Sequence, residues 1–138
     1  LIMCITKYSV EIDIWAAGCI LAELFLLTPL FKGKTEGDQL FAIFNVLGSP
    51  SQKEYAELAT KVPFEPKLFN EFPVINKGND DSEKYKHLYA NFKDKANLCS
   101  LLNRIFTYIP EQRITAKEAL AHPFFHEVLK FYSQMNLH

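Results

Sequence analysis

Three sets of residues have types and spacing that bear on chemistry. His122 and His126 stand at i and i+4, the spacing at which two imidazoles on one helix face can share a metal ion. Pro123 falls between them, and no third or fourth ligand lies nearby in sequence. His122 is therefore expected to be a buried, hydrogen-bonding imidazole, and His126 a surface residue. Gly33-Lys34-Thr35 matches the tail of a phosphate-binding loop, GxxxxGK[ST], but the first glycine of that pattern would fall at Thr28. Such a loop must also leave a strand, so that its amides wrap the phosphates where a helix begins. Here a long apolar segment and Pro29 come first, and no nucleotide is expected at this stretch. No Ser/His/Asp order, nucleophile elbow or Gly-rich phosphate cradle is present. The third set is a pair of stretches, Asp13-Ile-Trp15-Ala-Ala-Gly18-Cys-Ile-Leu-Ala-Glu23 and Pro110-Glu-Gln-Arg113-Ile-Thr-Ala-Lys-Glu-Ala-Leu-Ala-His122-Pro-Phe-Phe125. What these can do depends on the elements that carry them.

The first lies in the most apolar segment, Ile12 to Leu27, which only Asp13 and Glu23 interrupt. Apolar residues occur all round its helical wheel, so this helix is expected to be buried on most sides. Extension to Phe31 supplies the length of a membrane span, but it brings in Thr28-Pro29 and leaves Glu23 near the middle. A central helix of a soluble domain is the expectation. A second helix is predicted from about Asp38 to Leu47, with Gly48 as its stop. Ser51-Gln-Lys-Glu54 reads as a capping box that opens a short helix to about Thr60. Lys61 to Asp94 reads as mostly loop, on Pro63, Pro66, Pro73, Gly78 and the polar run Asn79 to Lys84. Helical periodicity resumes over Ala96 to Tyr108. Thr115-Ala-Lys-Glu118 is a second capping box, and Phe124 to Phe131 is expected to add a last helical turn or two. No alternating strand pattern, repeat or low-complexity tract occurs, so the fold class is all-α.

The chain has 138 residues, about one domain, with 49% apolar and 22% charged residues, which is ordinary for a globular protein. Fifteen basic against sixteen acidic side chains leave a net charge of -1, which gives no case for nucleic acid or an anionic membrane as partner. Cys4, Cys19 and Cys99 are an odd, widely spaced set that reads as reduced intracellular thiols, with a cytoplasmic or nuclear location expected. The opening Leu-Ile-Met-Cys-Ile carries neither an initiator Met nor a signal-peptide pattern, and reads as the interior of a larger domain.

The two stretches, in this order and about a hundred residues apart, resemble the C-terminal lobe of eukaryotic protein kinases. DxWxxGxxxxE is similar to the central αF helix of that family, and PxxRIxAxEALxHPFF to its last conserved subdomain. Asp38-Gln-Leu-Phe-Ala-Ile-Phe-Asn-Val-Leu-Gly-Ser-Pro50 resembles the αG helix and following insert of the CMGC group, which holds the cyclin-dependent, mitogen-activated and glycogen synthase kinases. The resemblance spans residues 1–138, least clearly 61–94. It implies an incomplete kinase domain comprising αF, αG, the CMGC insert, αH and αI.

That resemblance gives Asp13 the place of a buried carboxylate accepting backbone N–H bonds from the catalytic loop, while a helix-start acid favoured by the dipole also fits the residue, and the two readings are compatible. It gives Trp15 a place against the segment after the activation loop, with a plain core Trp as the equal alternative. Gly18 would permit close approach of another backbone. Arg113 matches an arginine that pairs with the Glu of an Ala-Pro-Glu motif, a Glu that would lie before Leu1. Without it, Arg113 is expected to turn to water and loosen the fold. His122 completes the implied structural anchors. Ala16 stands where the family usually has Ser, and Ile109 where it usually has Asp. Phe41, Phe44, Leu47 and Tyr55 are candidates for partner docking through the αG and insert surface, with core packing expected for at least half of them.

Phosphoryl transfer needs a Gly-rich loop, a strand-borne lysine, a catalytic Asp and carboxylates for Mg²⁺. GxGxxG, VAIK, HRD and DFG do not occur in these residues. The expectation is a part of a serine/threonine kinase in which no residue of this chain is catalytic or binds a cofactor or metal. ATP and Mg²⁺ would belong to the complete parent, along with protein substrates and a cyclin-like or scaffold regulator. The alternative is a non-catalytic helical interaction module.

Overall fold

Thr35, Ser51 and Thr115 each open a helix by the same exchange. Thr35 Oγ1 accepts from the Asp38 N–H at 3.1 Å, and the Asp38 carboxylate accepts from the Thr35 N–H at 3.2 Å. Ser51 with Glu54, and Thr115 with Glu118, repeat it at 3.2 and 2.8 Å. Each box satisfies two backbone donors that a helix start leaves without partners. The computed structural model describes residues 10–61, 73–77, 84–85 and 95–135, and the regular structure among them is helical. The helices are α1 (Val10–Leu26), α2 (Glu36–Leu47), α3 (Gln52–Lys61), α4 (Lys95–Ile105), α5 (Ala116–Leu120) and α6 (His126–Met135). Short 3₁₀ turns at Pro110–Gln112 and Pro123–Phe125 flank α5.

The core collects around α4. Leu98, Cys99, Leu101, Leu102 and Ile105 are buried there, facing Leu40, Phe44 and Leu47 of α2, Leu58 of α3, and Ile109 and Ile114 of the following turn. Each large aliphatic or aromatic side chain removed from water contributes roughly 1.5–3 kcal/mol. Helix α1 packs on α4 and on the 110–112 turn.

Several sequence expectations are corrected. Helix α1 buries only Gly18 and Ala22, while Ile20 and Leu24 are 63% and 68% exposed. Among the described residues α4 and the turn cover only one side of it. Helix α2 starts at Glu36, ahead of the expected Asp38, because Thr35 caps it. The C-terminal helix runs ten residues, beyond the expected turn or two. Of the expected loop from Lys61 to Asp94, Lys61 instead closes α3, residues 73–77 are irregular, and the rest lies outside the described residues, apart from Lys84 and Tyr85.

Two helix ends turn through positive φ. Gly48 follows α2 at φ 86°, and its N–H donates to the Phe44 carbonyl at 2.8 Å. Leu27 follows α1 at φ 57°, a conformation in which its Cβ crowds the backbone.

Candidate functional site

The two stretches singled out by sequence meet where the start of α1 passes the turn after α4. The Arg113 guanidinium lies over the Trp15 ring, 4.8 Å from its centroid. Arg113 Nε donates to the Thr107 carbonyl at 2.8 Å, and Nη1 donates to the Glu11 carbonyl at 3.0 Å. Burial lowers the arginine's pKa, and the Glu11 and Glu111 carboxylates oppose that shift. Arg113 does not turn to water. Two backbone carbonyls and an aromatic face hold it half-buried, which satisfies a cation without a carboxylate in contact.

Trp15 is half-buried in the same cluster. Its ring stacks on Phe31 at 6.0 Å and meets Phe106 edge-on at 4.9 Å, and Phe31 and Phe106 are themselves 5.2 Å apart. Such pairs contribute about 0.5–1.5 kcal/mol beyond the area they bury. Gly18, one turn along α1, has the side chains of α4 and the residue after it pressed against it. A Cβ there would run into Ile105 Cγ2 and sit 3.1 Å from the Phe106 ring. The close neighbour is thus a pair of side chains rather than another backbone. Asp13 is exposed rather than buried, in the first turn of α1, where an acid suits the helix dipole.

His122 is buried at 6% exposure. Its Nδ1 accepts from the Phe124 N–H and its Nε2 lies against Ser100 Oγ, both at 3.2 Å. Nδ1 must therefore be unprotonated, and the neutral ring donates from Nε2. Burial lowers its pKa, and Arg104 and His126 lower it further. His126 is exposed. With both His122 nitrogens engaged, the pair is not a metal site. No group of three His, Cys, Asp or Glu that could hold a metal occurs among the described residues.

The four docking candidates divide. Phe44 and Leu47 are 1% and 7% exposed and belong to the core, so in this fold neither reaches a partner. Phe41 is 42% exposed and Tyr55 half-buried. Helical spacing places Phe41 and Phe44 on neighbouring positions of α2, but Phe44 is turned onto the Tyr108 ring, 6.0 Å away.

Sequence reasoning missed several members of this region. Tyr108 is buried against Phe44, its ring 6.0 Å away, and its hydroxyl donates to the Gly48 carbonyl. Burial raises its pKa, and Glu54 adds to that. Glu11 enters through its backbone carbonyl, which has no sequence signature. Cys19 is half-buried, its thiol pushed up to about 11 by burial and then by Glu23, so it is held as the thiol. Cys99 is a buried thiol, and Cys4 lies outside the described residues. Among the described residues no helix is long and apolar enough to cross a membrane.

The protein kinase domain family matches residues 2–125, and the chain belongs to that family. Its relatives are kinases of the CMGC group. It is 40% identical over 121 residues to the serine/threonine-protein kinase ppk23 of Schizosaccharomyces pombe, covering 88% of this chain and 28% of that protein. It is 39% identical over 133 residues to the serine/threonine-protein kinase PITSLRE of Drosophila melanogaster, covering 93% and 13%. It is 40% identical over 130 residues to cyclin-dependent kinase G-2 of Oryza sativa, covering 88% and 17%. The chain therefore spans well under a third of each of these relatives. Its helical architecture is that of part of a kinase C-terminal lobe.

Among the described residues, the arrangement does not fit ATP and Mg²⁺. At Gly33-Lys34-Thr35 the Thr35 N–H and hydroxyl are taken by the Asp38 capping exchange, so the start of α2 offers no free cradle there. No carboxylate cluster for Mg²⁺ occurs among the described residues.

Proposed function

We propose that this chain serves as a supporting part of a CMGC serine/threonine kinase whose complete form transfers the ATP γ-phosphate to protein Ser or Thr hydroxyls. The observation that carries this reading is the family match over residues 2–125, in a sequence that bears the helix and arginine motifs but none of the phosphate-handling ones. In this reading Asp13, Trp15, Gly18, Arg113 and His122 are anchors of the scaffold, and no residue of the chain is catalytic. ATP and Mg²⁺ belong to the complete parent. A cyclin-like regulator is supported by the name of the rice relative. An intracellular location, cytoplasmic or nuclear, is supported by the reduced thiols of Cys19 and Cys99.

The 138 residues alone are expected to show no saturable, Mg²⁺-dependent ATP hydrolysis. Recovery of such turnover from the purified chain would overturn that part. The parent reading is checked upstream of the Leu1 codon. An open frame carrying HRD and DFG and ending in Ala-Pro-Glu supports it, and unrelated sequence there defeats it.

A second reading, a non-catalytic interaction module, is favoured by the exposure of Phe41 on α2. Loss of a captured partner on Phe41→Ala, with the helical spectrum retained, would support it. Unchanged capture would count against it.

A further inference from the structure

The described serines and threonines are nearly all committed to holding the fold. Thr35, Ser51 and Thr115 cap helices. Thr60, Thr107 and Ser133 donate to carbonyls three or four residues back. Ser100 Oγ meets the His122 ring, and Ser49 Oγ accepts from the Ile75 N–H at 3.0 Å. Thr28 is the exception among the described residues: it is exposed, and its hydroxyl has no hydrogen-bond partner there.

The backbone on either side presents that hydroxyl at a loop crest. Leu27, 87% exposed at φ 57°, turns the chain out of α1, and Phe31, 8% exposed, returns it to the Trp15 ring. Thr28 and Pro29 are exposed between them. Pro29 has no N–H, so the residue after the hydroxyl can enter an apolar pocket without stranding a donor. It also biases Thr28 towards extended backbone, which suits a cleft that binds an extended segment. The other hydroxyl residue followed by proline, Ser49, is half-buried, and its Oγ serves both the Ile75 N–H and, at 3.5 Å, the Pro73 carbonyl. No acid lies between Glu23 and Glu36, and Lys32 and Lys34 are the nearest cations along the chain. A dianion on Thr28 therefore meets no like charge in that stretch, and the lysines offset the negative end of the α1 dipole.

We infer that Thr28 is a phosphorylation site for a proline-directed serine/threonine protein kinase. Thr28 Oγ attacks the γ-phosphorus of the ATP held by that enzyme. The Oγ–P bond forms as the bridging P–O bond breaks, ADP leaves with its electrons, and the hydroxyl proton passes to a base of the enzyme. The chain is here the substrate of a kinase, a role separate from either reading above.

The test incubates the 138-residue chain with ATP, Mg²⁺ and an active mitogen-activated protein kinase, and maps phosphate by mass spectrometry. Phosphate is expected on Thr28, with Ser49 about tenfold slower or more, because Ser49 must first leave the Ile75 N–H. Pro29→Ala should slow Thr28 about tenfold, since alanine brings back an N–H that the enzyme's pocket leaves unpaired. Thr28→Val should remove the modification without raising it at Ser49. No phosphate on Thr28, equal rates at Thr28 and Ser49, or a rate indifferent to Pro29→Ala would overturn the inference. The two sites compared in the unaltered chain decide the matter even where a variant folds poorly.

Discussion

Arg113 and Trp15, far apart in sequence, hold each other through a guanidinium carbon 4.8 Å from the indole centroid. The same guanidinium reaches the Glu11 carbonyl, so a single side chain fastens the start of α1 to the turn after α4. Lysine would keep the charge, but its single ammonium cannot serve both carbonyls and lie flat on the ring. Arg113→Lys is expected to destabilise the fold by about 2 kcal/mol, within the range for hydrogen bonds to charged groups. A urea midpoint unchanged from the parent chain would refute this.

Gly18 tests the packing of α1 on α4. Alanine there gains about 1 kcal/mol of helix propensity. Against this, its Cβ must displace Ile105 Cγ2 and the Phe106 ring, and overpacking of that kind costs about 1–3 kcal/mol. Gly18→Ala should therefore lower the melting temperature, whereas Ala17→Gly, at an exposed position of the same helix, should lower it by propensity alone.

Leu27 gives a prediction of the opposite sign. It sits at φ 57° and is 87% exposed, so its side chain stabilises little and strains the backbone. Leu27→Gly should stabilise the chain by about 1 kcal/mol, read as a higher melting temperature. A lower one would show that this helix end is held by something other than backbone geometry.

His122 sets a pH window. Its folded pKa lies below the unfolded value of about 6.5, so between the two the unfolded chain binds more protons. Stability is then fully present above about pH 6.5 and falls as pH drops through the folded pKa, where protonation at Nδ1 breaks the bond from the Phe124 N–H. Glu111 and Glu118, held low by Lys61 and by the Thr115 cap respectively, lose their contributions only in the more acid carboxylate range. Urea titrations from pH 5 to 8 should slope for the parent chain and flatten for His122→Asn. Equal slopes would assign the dependence elsewhere.

What could be read from sequence was local. The boxes at Ser51 and Thr115 and the stop at Gly48 rest on residues within one turn of each other, and they lie where the spacing puts them. The capping role of Thr35 went unread because Gly33 and Gly37 mark the stretch as loop. The partners of Arg113 were illegible because carbonyl oxygens carry no residue-type signal, and one comes from 102 positions away. Helix α6 was read short because a histidine ring, rather than a Ser, Thr or Asp, receives the first N–H of the preceding turn. Phe41 and Phe44 looked alike until the neighbours of α2 were known.

The uneven cover of α1 has a consequence for the order in which the molecule comes apart. Beyond buried Gly18 and Ala22, α1 sets Ile14, Trp15, Cys19, Leu21, Phe25 and Leu26 against the core, and Ile20 and Leu24 on its other side face water. It packs on α4, so sub-global opening should release α1 only together with that part of the core. The amides of α1 should then exchange with deuterium on the time scale of those in α4. A helix covered on one side can thus still belong to the last unit to open.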